Sequence, residues 1–268
     1  MNKYVLLSEG KVCSGGKTLF RIRAEKDIPS QHVKKGDLGG LVHDIKNLPQ
    51  SGTSWISKGA QVLGEACVIG NARVGGNAIV KGNSEIAGHV KVSGSAELED
   101  VRINGFDVEI RERAVLKNVS FIGNNVLIHG FAHLENVKKG SQLGDFEMSG
   151  RSIISSSGDM LEIDGSYVVI KENARIENVS SIKAVNLVVA GDAVVENGVT
   201  IDGEDISITD CSHVTGRLVI GDNFSISDVA SLKRGLVNAL PFKNISITGD
   251  TALSTNAFEP PYDPFGGI

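Results

Sequence analysis

Five alanines recur at one constant interval between positions 60 and 132, and a branched aliphatic residue follows two places after each of them. No amphipathic helix has this period. It indicates a structural unit that repeats, so that each residue lies directly above the residue 18 positions earlier. The pairs are Ala60/Val62, Ala78/Val80, Ala96/Leu98, Ala114/Leu116 and Ala132/Leu134.

Within each unit a shorter pattern recurs every six residues. Positions 1 and 3 of a hexad are apolar, position 2 is mostly polar, and position 5 is often glycine. Alternation with a period of two indicates a short strand with one buried face. Glycine tolerates positive φ, so the chain can turn a corner after each strand. Three strands and three corners per unit predict an all-β fold, a triangular parallel β-helix with coils of about 18 residues.

The regular hexads run over residues 54–137, which we expect to form the hexapeptide β-helix proper. The pattern lapses once, where Arg102 and Asn104 occupy positions that should point inward. A local bulge there would turn Ile103 inward instead. Besides the file that begins at Ala60, two more files of inward pairs are expected: Ser54/Ile56, Ala72/Val74, Val90/Val92, Val108/Ile110 and Val126/Ile128 in one, and Ala66/Val68, Ser84/Ile86, Arg102/Asn104 and Ser120/Ile122 in the other.

The rest of the chain divides around these hexads. Residues 1–53 lack them and are expected to form a small N-terminal β cap, because an uncovered first coil would expose a row of unpaired backbone groups. Residues 138–158 are expected to be a loop or a distorted coil, 159–229 less regular coils of about 19 residues, and 230–268 a C-terminal cap with a Pro-rich tail. In the less regular coils the expected inward residues are Ile163, Val169, Ile176, Ile182, Val189, Val195, Ile201, Ile208, Val214, Ile220 and Ile226.

Cysteine usage and charge restrict the functional classes. Cys13, Cys67 and Cys211 are odd in number and have no metal-ligand spacing, which predicts free thiols, a reducing compartment and no metal site. The chain lacks a long apolar run, so we expect a cytoplasmic protein without membrane insertion. The net charge is −5, with +4 in residues 1–50 and −9 in the remainder, which solvated coil surfaces explain; the alternative is an acidic rod with a basic head. Arg21 and Arg23 in the basic cluster of this head alternate with apolar residues along one strand, so one solvated face explains them and a nucleic-acid partner is not expected.

The N-terminal segment carries a family resemblance. The sequences at 18–24, 36–42 and 47–50, with Trp55, lead into tandem hexads in a way that resembles phage-borne and enterobacterial hexapeptide-repeat proteins described as transferases. The resemblance covers about the first 100 residues and implies a left-handed β-helix, an exception to the usual right-handed crossover. Leu63, Ile69 and Lys81 stand where hexapeptide acyltransferases usually have a small residue, which leaves a right-handed helix as the alternative.

The same resemblance implies an enzymatic mechanism. Hexapeptide acyltransferases act as trimers, hold a coenzyme A thioester between neighbouring prisms, and use a histidine as general base. Of the six histidines, His129 lies on the last regular coil, beside Gly130 and close to the segment 138–158. His129 is therefore the candidate catalytic residue of an acyltransferase, although a solvent-facing histidine is the simpler interpretation of its position.

Three functional hypotheses follow from these observations. The first is a non-catalytic scaffold or binding protein, derived from a phage or mobile element, whose partner is a protein or a small molecule. The second is an acyl-coenzyme A-dependent acyltransferase acting in a cleft between subunits of a homotrimer. The third is an acidic rod that inhibits a host factor or mimics a nucleic acid, which requires the acidic residues to gather on one face.

Overall fold

The computed structural model of the chain describes residues 2–12, 16, 18–100, 102–118, 120–136, 145–155, 162–164, 166–177, 181–196, 200–215, 224–233 and 245–254. These residues are mostly strands and turns, with two single-turn 3-10 helices at Pro29–Gln31 and Ile45–Asn47. No helix in this described part of the chain combines the length and the apolar character needed to cross a membrane.

The strands in chain order are β1 (Tyr4–Val12), β2 (Thr18–Ala24), β3 (Leu38–Val42), β4 (Trp55–Ile56), β5 (Gln61–Val62), β6 (Cys67–Val68), β7 (Arg73–Val74), β8 (Ile79–Lys81), β9 (Glu85–Val92), β10 (Glu97–Glu99), β11 (Arg102–Ile110), β12 (Val115–Lys117), β13 (Ser120–Ile128), β14 (His133–Glu135), β15 (Phe146–Met148), β16 (Ile153–Ser155), β17 (Glu162–Asp164), β18 (Val168–Ile170), β19 (Arg175–Glu177), β20 (Ser181–Val185), β21 (Val188–Val189), β22 (Val194–Glu196), β23 (Thr200–Glu204), β24 (Ser207–Ile208), β25 (His213–Thr215), β26 (Phe224–Ile226), β27 (Ser231–Lys233), β28 (Ile245–Ile247) and β29 (Ala252–Ser254).

The strands stack as the three walls of a parallel β-solenoid, which confirms the predicted fold class. Face 1 is a 14-stranded sheet in the order β1-β2-β3-β5-β8-β10-β12-β14-β16-β19-β22-β25-β27-β29. Face 3 follows the order β28-β26-β24-β21-β18-β15-β13-β11-β9-β7-β4. Face 2 lies between them along the chain and contains β6, the first halves of β9, β11 and β13, and the three-stranded sheet β17-β20-β23. The left-handed sense of the spiral stays a prediction.

The repeating alanines form a single vertical column on face 1, as predicted. The N–H group after each alanine donates to the carbonyl of the alanine one coil further on, as Gln61 does to Ala78 at 2.9 Å. All five alanines are fully buried, and so are the aliphatic residues two places later. Ser152, Ala174, Ala193, Ser212 and Ala230 continue the column. Small side chains at this corner allow the coils to approach within strand-pairing distance.

The lapse at Arg102 and Asn104 is the predicted bulge. Both residues are exposed and Ile103 is fully buried, while the pairing of β11 with β9 shifts register between Gly105 and Val108. The next coil keeps the shifted register, so β13 places Phe121 opposite Ile103 and Ile122 opposite Asn104. Strand β13 thus stacks on β11 in the register that β11 has adopted, because parallel neighbours pair residue by residue, and Ser120 is half-buried.

The less regular coils need a second correction. Val169 is half-exposed on β18, and its neighbours Val168 and Ile170 are buried instead. The six-residue count fails here because the step from Ile154 to Ile176 on face 1 is longer than a regular coil. Ile176, Val189, Val195, Ile208, Val214 and Ile226 are buried as expected, Ile163, Ile182 and Ile201 pair in register, and Ile220 lies outside the described residues.

Coils continue through segments that the sequence pattern separates. Within 138–158, β15 and β16 pair in register with β13 and β14, so residues 145–155 belong to the stack. After residue 229, β27, β28 and β29 still add strands to faces 1 and 3 as far as Ser254. The divisions at 138 and 230 therefore do not mark ends of the solenoid, and the Pro-rich tail lies outside the described residues.

The N-terminal segment covers the first coil. Strand β3 pairs in parallel with β5 on face 1, and β2 and β1 extend that sheet antiparallel. The Asn47 amide donates to the carbonyls of Gly64 (3.0 Å) and Ala66 (2.6 Å), and the Gln31 amide donates to that of Asn71 (2.9 Å). Backbone groups that would be unpaired at the end of the stack are thereby satisfied, in agreement with a capping role.

Candidate functional site

His129 lies directly after β13, at the corner where face 3 turns toward face 1. Its Nε2 atom is 3.3 Å from Glu147 Oε1 on the next coil, and its Nδ1 atom is 3.9 Å from Glu112 Oε1 on the preceding coil. The side chain is 22% exposed. Both ring nitrogens therefore face carboxylates, and the imidazole bridges three successive coils.

This arrangement limits what His129 can do as a base. A carboxylate on one ring nitrogen orients an imidazole, but the other nitrogen must then reach the proton that is to be removed. Here that second nitrogen is Nδ1, which is directed toward Glu112. A substrate hydroxyl would have to displace this contact before it could be deprotonated.

Three other histidines contact separate partners. His133, expected to face outward, is half-exposed on face 1, with Nε2 3.4 Å from Glu135. His213 lies 3.0 Å from Glu196, and His89 packs on the ring of Phe106 with centroids 4.8 Å apart. The structure thus brings His129 together with Glu147 of the segment 138–158, and places His133 on another wall.

A shallow pocket of about 160 Å³ opens on the outer side of face 3, next to His129. Leu127 and Val169 lie on outward strand positions, and Tyr167 at the adjoining corner is 55% exposed. Asp145 and Glu147 supply carboxylates, and Glu147 is also the partner of His129. Asn125, Phe146 and Val168 complete the lining.

The sequence contains a feature that indicates this pocket, although counting hexads does not reveal it. Outward positions of the hexads are mostly polar, yet Leu127, Val169 and Val188 are apolar and lie at outward positions of face 3. An apolar residue at an outward strand position marks a surface that water does not favour. The pocket could not be assembled from sequence because two of its coils are longer than the regular repeat.

The described residues contain no group of three or more His, Cys, Asp and Glu side chains placed to hold a metal ion. Glu112 and Glu147 contact opposite sides of the His129 ring, so the three side chains do not converge on one point. Cys67 and Cys211 are free thiols, and burial, together with the charge of Glu85, raises the pKa of the Cys67 thiol. Cys13 lies outside the described residues.

Comparison with known proteins adds no assignment to this geometry. No protein-family model matches the chain, and no curated protein matches it significantly.

Proposed function

We propose that this chain is a non-catalytic β-solenoid scaffold that uses the pocket on face 3 to bind a partner protein. The observation that carries the proposal is the pocket itself, in which the outward apolar side chains Leu127 and Val169 and the exposed ring of Tyr167 stand beside two carboxylates. Exposed apolar surface rimmed by polar groups is typical of interaction sites. The resemblance of the N-terminal segment extends the proposal to a phage or mobile-element origin.

The chemistry of the pocket favours a lysine or arginine side chain of the partner. Leu127 and Val169 can pack against its aliphatic stem. Glu147, which is stacked between them, and Asp145 supply carboxylates that can pair with its charge. Tyr167 presents an exposed ring that a cation can also contact. A volume of about 160 Å³ suits one side chain of this size rather than a cofactor.

A displayed peptide library tests this proposal. We expect selection against the protein to enrich peptides that contain Lys or Arg, and we expect those peptides to lose binding to Leu127→Lys. Val115→Lys is the matched control, because Val115 is also an outward, half-exposed aliphatic residue but lies on face 1. The proposal is wrong if no peptide is enriched, or if the enriched peptides bind Leu127→Lys as well as the unmodified protein.

The acyltransferase alternative has one observation in its favour, the carboxylate of Glu147 beside His129 Nε2. The position of Glu112 weighs against it, because its carboxylate lies 3.9 Å from Nδ1, on the side where the acceptor group would have to bind. Calorimetric titration with acetyl-coenzyme A separates the two functions. If the protein is a scaffold, we expect no binding heat, and we expect no acetyl transfer by either the unmodified protein or His129→Ala. Saturable binding that requires a trimer would support the enzyme.

The charge pattern does not support the nucleic-acid mimic. Basic and acidic side chains alternate up the outer surface of the regular coils, in the ion pairs Lys81–Glu99 (3.1 Å), Lys91–Glu109 (2.9 Å) and Lys117–Glu135 (3.4 Å). The ammonium group of Lys117 lowers the pKa of the Glu135 carboxyl. A surface of alternating sign lacks the single-sign field that such a mimic needs.

A further inference from the structure

The corner between face 3 and face 1 carries a row of exposed side chains over eight consecutive coils, which we call the 113–250 edge. Each residue of this row is stacked on the next, as in the hydrogen bonds from Arg113 N–H to Gly130 O (2.9 Å) and from Asp192 N–H to Asp210 O (2.7 Å). The row reads Arg113, Phe131, Arg151, Asn173, Asp192, Cys211, Val229 and Asp250.

The first half of the 113–250 edge is basic and aromatic. The guanidinium carbons of Arg113 and Arg151 lie 5.6 and 6.0 Å from the ring centroid of Phe131, one from the coil above and one from the coil below. Phe131 is 54% exposed. Within the described part of the chain neither arginine forms an ion pair, so both charges are available to a partner.

The second half has the opposite character. Asp192 and Asp250 are exposed, and Asp210 and Asp228 stand at the adjoining corner positions. Val229, 57% exposed, is the large apolar side chain of this half. The row itself therefore carries two arginines and one exposed apolar residue in its first half, and two aspartates and another exposed apolar residue in its second half. The adjoining corner positions add two acidic residues to each half, Glu112 and Glu172 to the first and Asp210 and Asp228 to the second.

We propose that two copies of this chain pair side by side and antiparallel along the 113–250 edge. The two copies are related by a two-fold axis that crosses the edge between the coils of Asn173 and Asp192. The row of one copy then faces the same row of the other copy in reverse order, and every contact occurs twice. Arg113 then faces Asp250, Phe131 faces Val229, Arg151 faces Cys211 with Asp210 beside it, and Asn173 faces Asp192. Opposite charges thus meet at the ends of the eight coils, apolar side chains meet one coil further in, and Arg151 lies near the carboxylate of Asp210.

The neighbouring row of corner residues fixes the same register. All eight have positive φ, and four are acidic and four are glycine. With the axis at this place each acidic residue faces a glycine: Glu112 with Gly249, Gly130 with Asp228, Gly150 with Asp210, and Glu172 with Gly191. Moving the axis onto the coil of Asn173 would oppose Glu112 to Asp228 and Glu172 to its own copy, and like charges would repel.

The length of the edge is sufficient for a specific contact. Eight coils at about 4.8 Å per coil give a strip of about 38 Å. A strip about 20 Å wide, which takes in the outward residues flanking the corner, reaches the roughly 800 Å² per partner of a standard interface. Because exposed ion pairs supply much of the match, the dimer is expected to weaken as ionic strength rises.

Sedimentation tests the dimer and the charge match. We expect a concentration-dependent dimer at low ionic strength that dissociates at high ionic strength. Arg113→Glu should raise the dissociation constant of the dimer at least tenfold. The double variant Arg113→Glu with Asp250→Arg should restore the original dissociation constant. Arg102→Glu, which makes the same charge change on face 2, should have no effect. A monomer under all conditions, a trimer, or a double variant as weak as the single one would overturn the proposal.

Cross-linking with a short bismaleimide tests the antiparallel register. Arg151→Cys should yield a covalent dimer through Cys211 of the second copy, and adding Cys211→Ser should abolish it. Val229→Cys, on the same edge, should give no dimer, because its thiol would lie about four coils from Cys211 of the second copy. Cross-linking of the unmodified protein that Cys211→Ser abolishes would indicate parallel pairing and overturn the register.

Discussion

At the scale of single residues, the interior of the solenoid is decided by side-chain volume. The alanine column is fully buried, with no exposed surface at Ala96, whereas Gln61 at an outward position of face 1 is only half-buried. We expect Ala96→Leu to lower the free energy of unfolding by about 1–3 kcal/mol, because added methyl groups overpack a corner between coils. Gln61→Lys should change it by less than about 0.5 kcal/mol. Denaturant unfolding followed by circular dichroism measures both, and equal effects would contradict the inward and outward assignment.

Lys3 is a single residue whose buried charge should be visible in the pH dependence of stability. Burial, helped by the nearby charge of Lys26, lowers the pKa of Lys3 to about 8, and its Nζ atom contacts Ser51 O and Ser54 Oγ at 3.2 and 3.3 Å. Above pH 8 the folded chain releases this proton while the unfolded chain retains it, so the free energy of unfolding rises with pH up to the unfolded pKa.

Lys3→Met removes this contribution. The free energy of unfolding is measured for the unmodified protein and for Lys3→Met at pH 7.5 and at pH 9.5. We expect the unmodified protein to gain about 2 kcal/mol relative to Lys3→Met between these two pH values. The raised pKa of Tyr4 acts in the opposite direction in both proteins. The charge of Lys3 itself lowers the pKa of Cys67, so both proteins are compared in a Cys67→Ser background. A difference that does not vary with pH would show that Lys3 is not held as described.

At the scale of elements, many of the short coil strands that the structure describes are followed within a few residues by a corner residue with positive φ. Where this residue is not glycine, its side chain often satisfies a backbone group of a neighbouring coil. Asp100, at φ +56°, accepts from the N–H of Asn83 (2.8 Å) and from the Asn118 amide (3.2 Å). Corner residues therefore turn the chain and also link the coils vertically.

Substitutions at Asp100 separate these two contributions. Asp100→Ala loses both hydrogen bonds and keeps the left-handed conformation, whereas Asp100→Gly loses the same bonds without the steric cost. We expect the free energy of unfolding of Asp100→Ala to be about 1 kcal/mol lower than that of Asp100→Gly. Thermal unfolding measures the order, and an alanine variant as stable as the glycine variant would mean that the corner relaxes.

At the scale of the whole molecule, the cap determines whether the stack ends in solution or associates further. Asn47 is fully buried, donates to two carbonyls of the first coil, and accepts from the N–H groups of His43 and Asp44 at 2.9 and 2.7 Å. One side chain thereby satisfies four backbone groups at the open end of the stack.

Asn47→Ala should therefore destabilise the protein far more than its size suggests. We expect a loss of about 2–4 kcal/mol, since several buried polar groups lose their partners. Lys46→Ala, an exposed change next to it, is the control. Unfolding experiments and light scattering at increasing concentration follow stability and association. If both variants behave alike, the first coil does not depend on Asn47.

The site is less accessible to sequence reasoning than the fold. The sequence singles out His129 for its place at the end of the regular hexads, but its partners Glu112 and Glu147 come from the coils on either side. Glu147 is reached only after a lengthened step from Val126 to Phe146. A regular count cannot align residues across such a step, which is also why it places Val169 inward.

The sequence by itself determined the three-sided stack, the alanine column and the bulge at Ile103, because each depends on an alternation of side chains that local strand geometry imposes. The tertiary structure alone decided which outward residues of different coils become neighbours, as at the face 3 pocket and the 113–250 edge. Coil length varies from one turn to the next, and each insertion shifts every later residue relative to the residues beneath it. Such shifts leave the repeat recognisable, but they change which surface side chains meet.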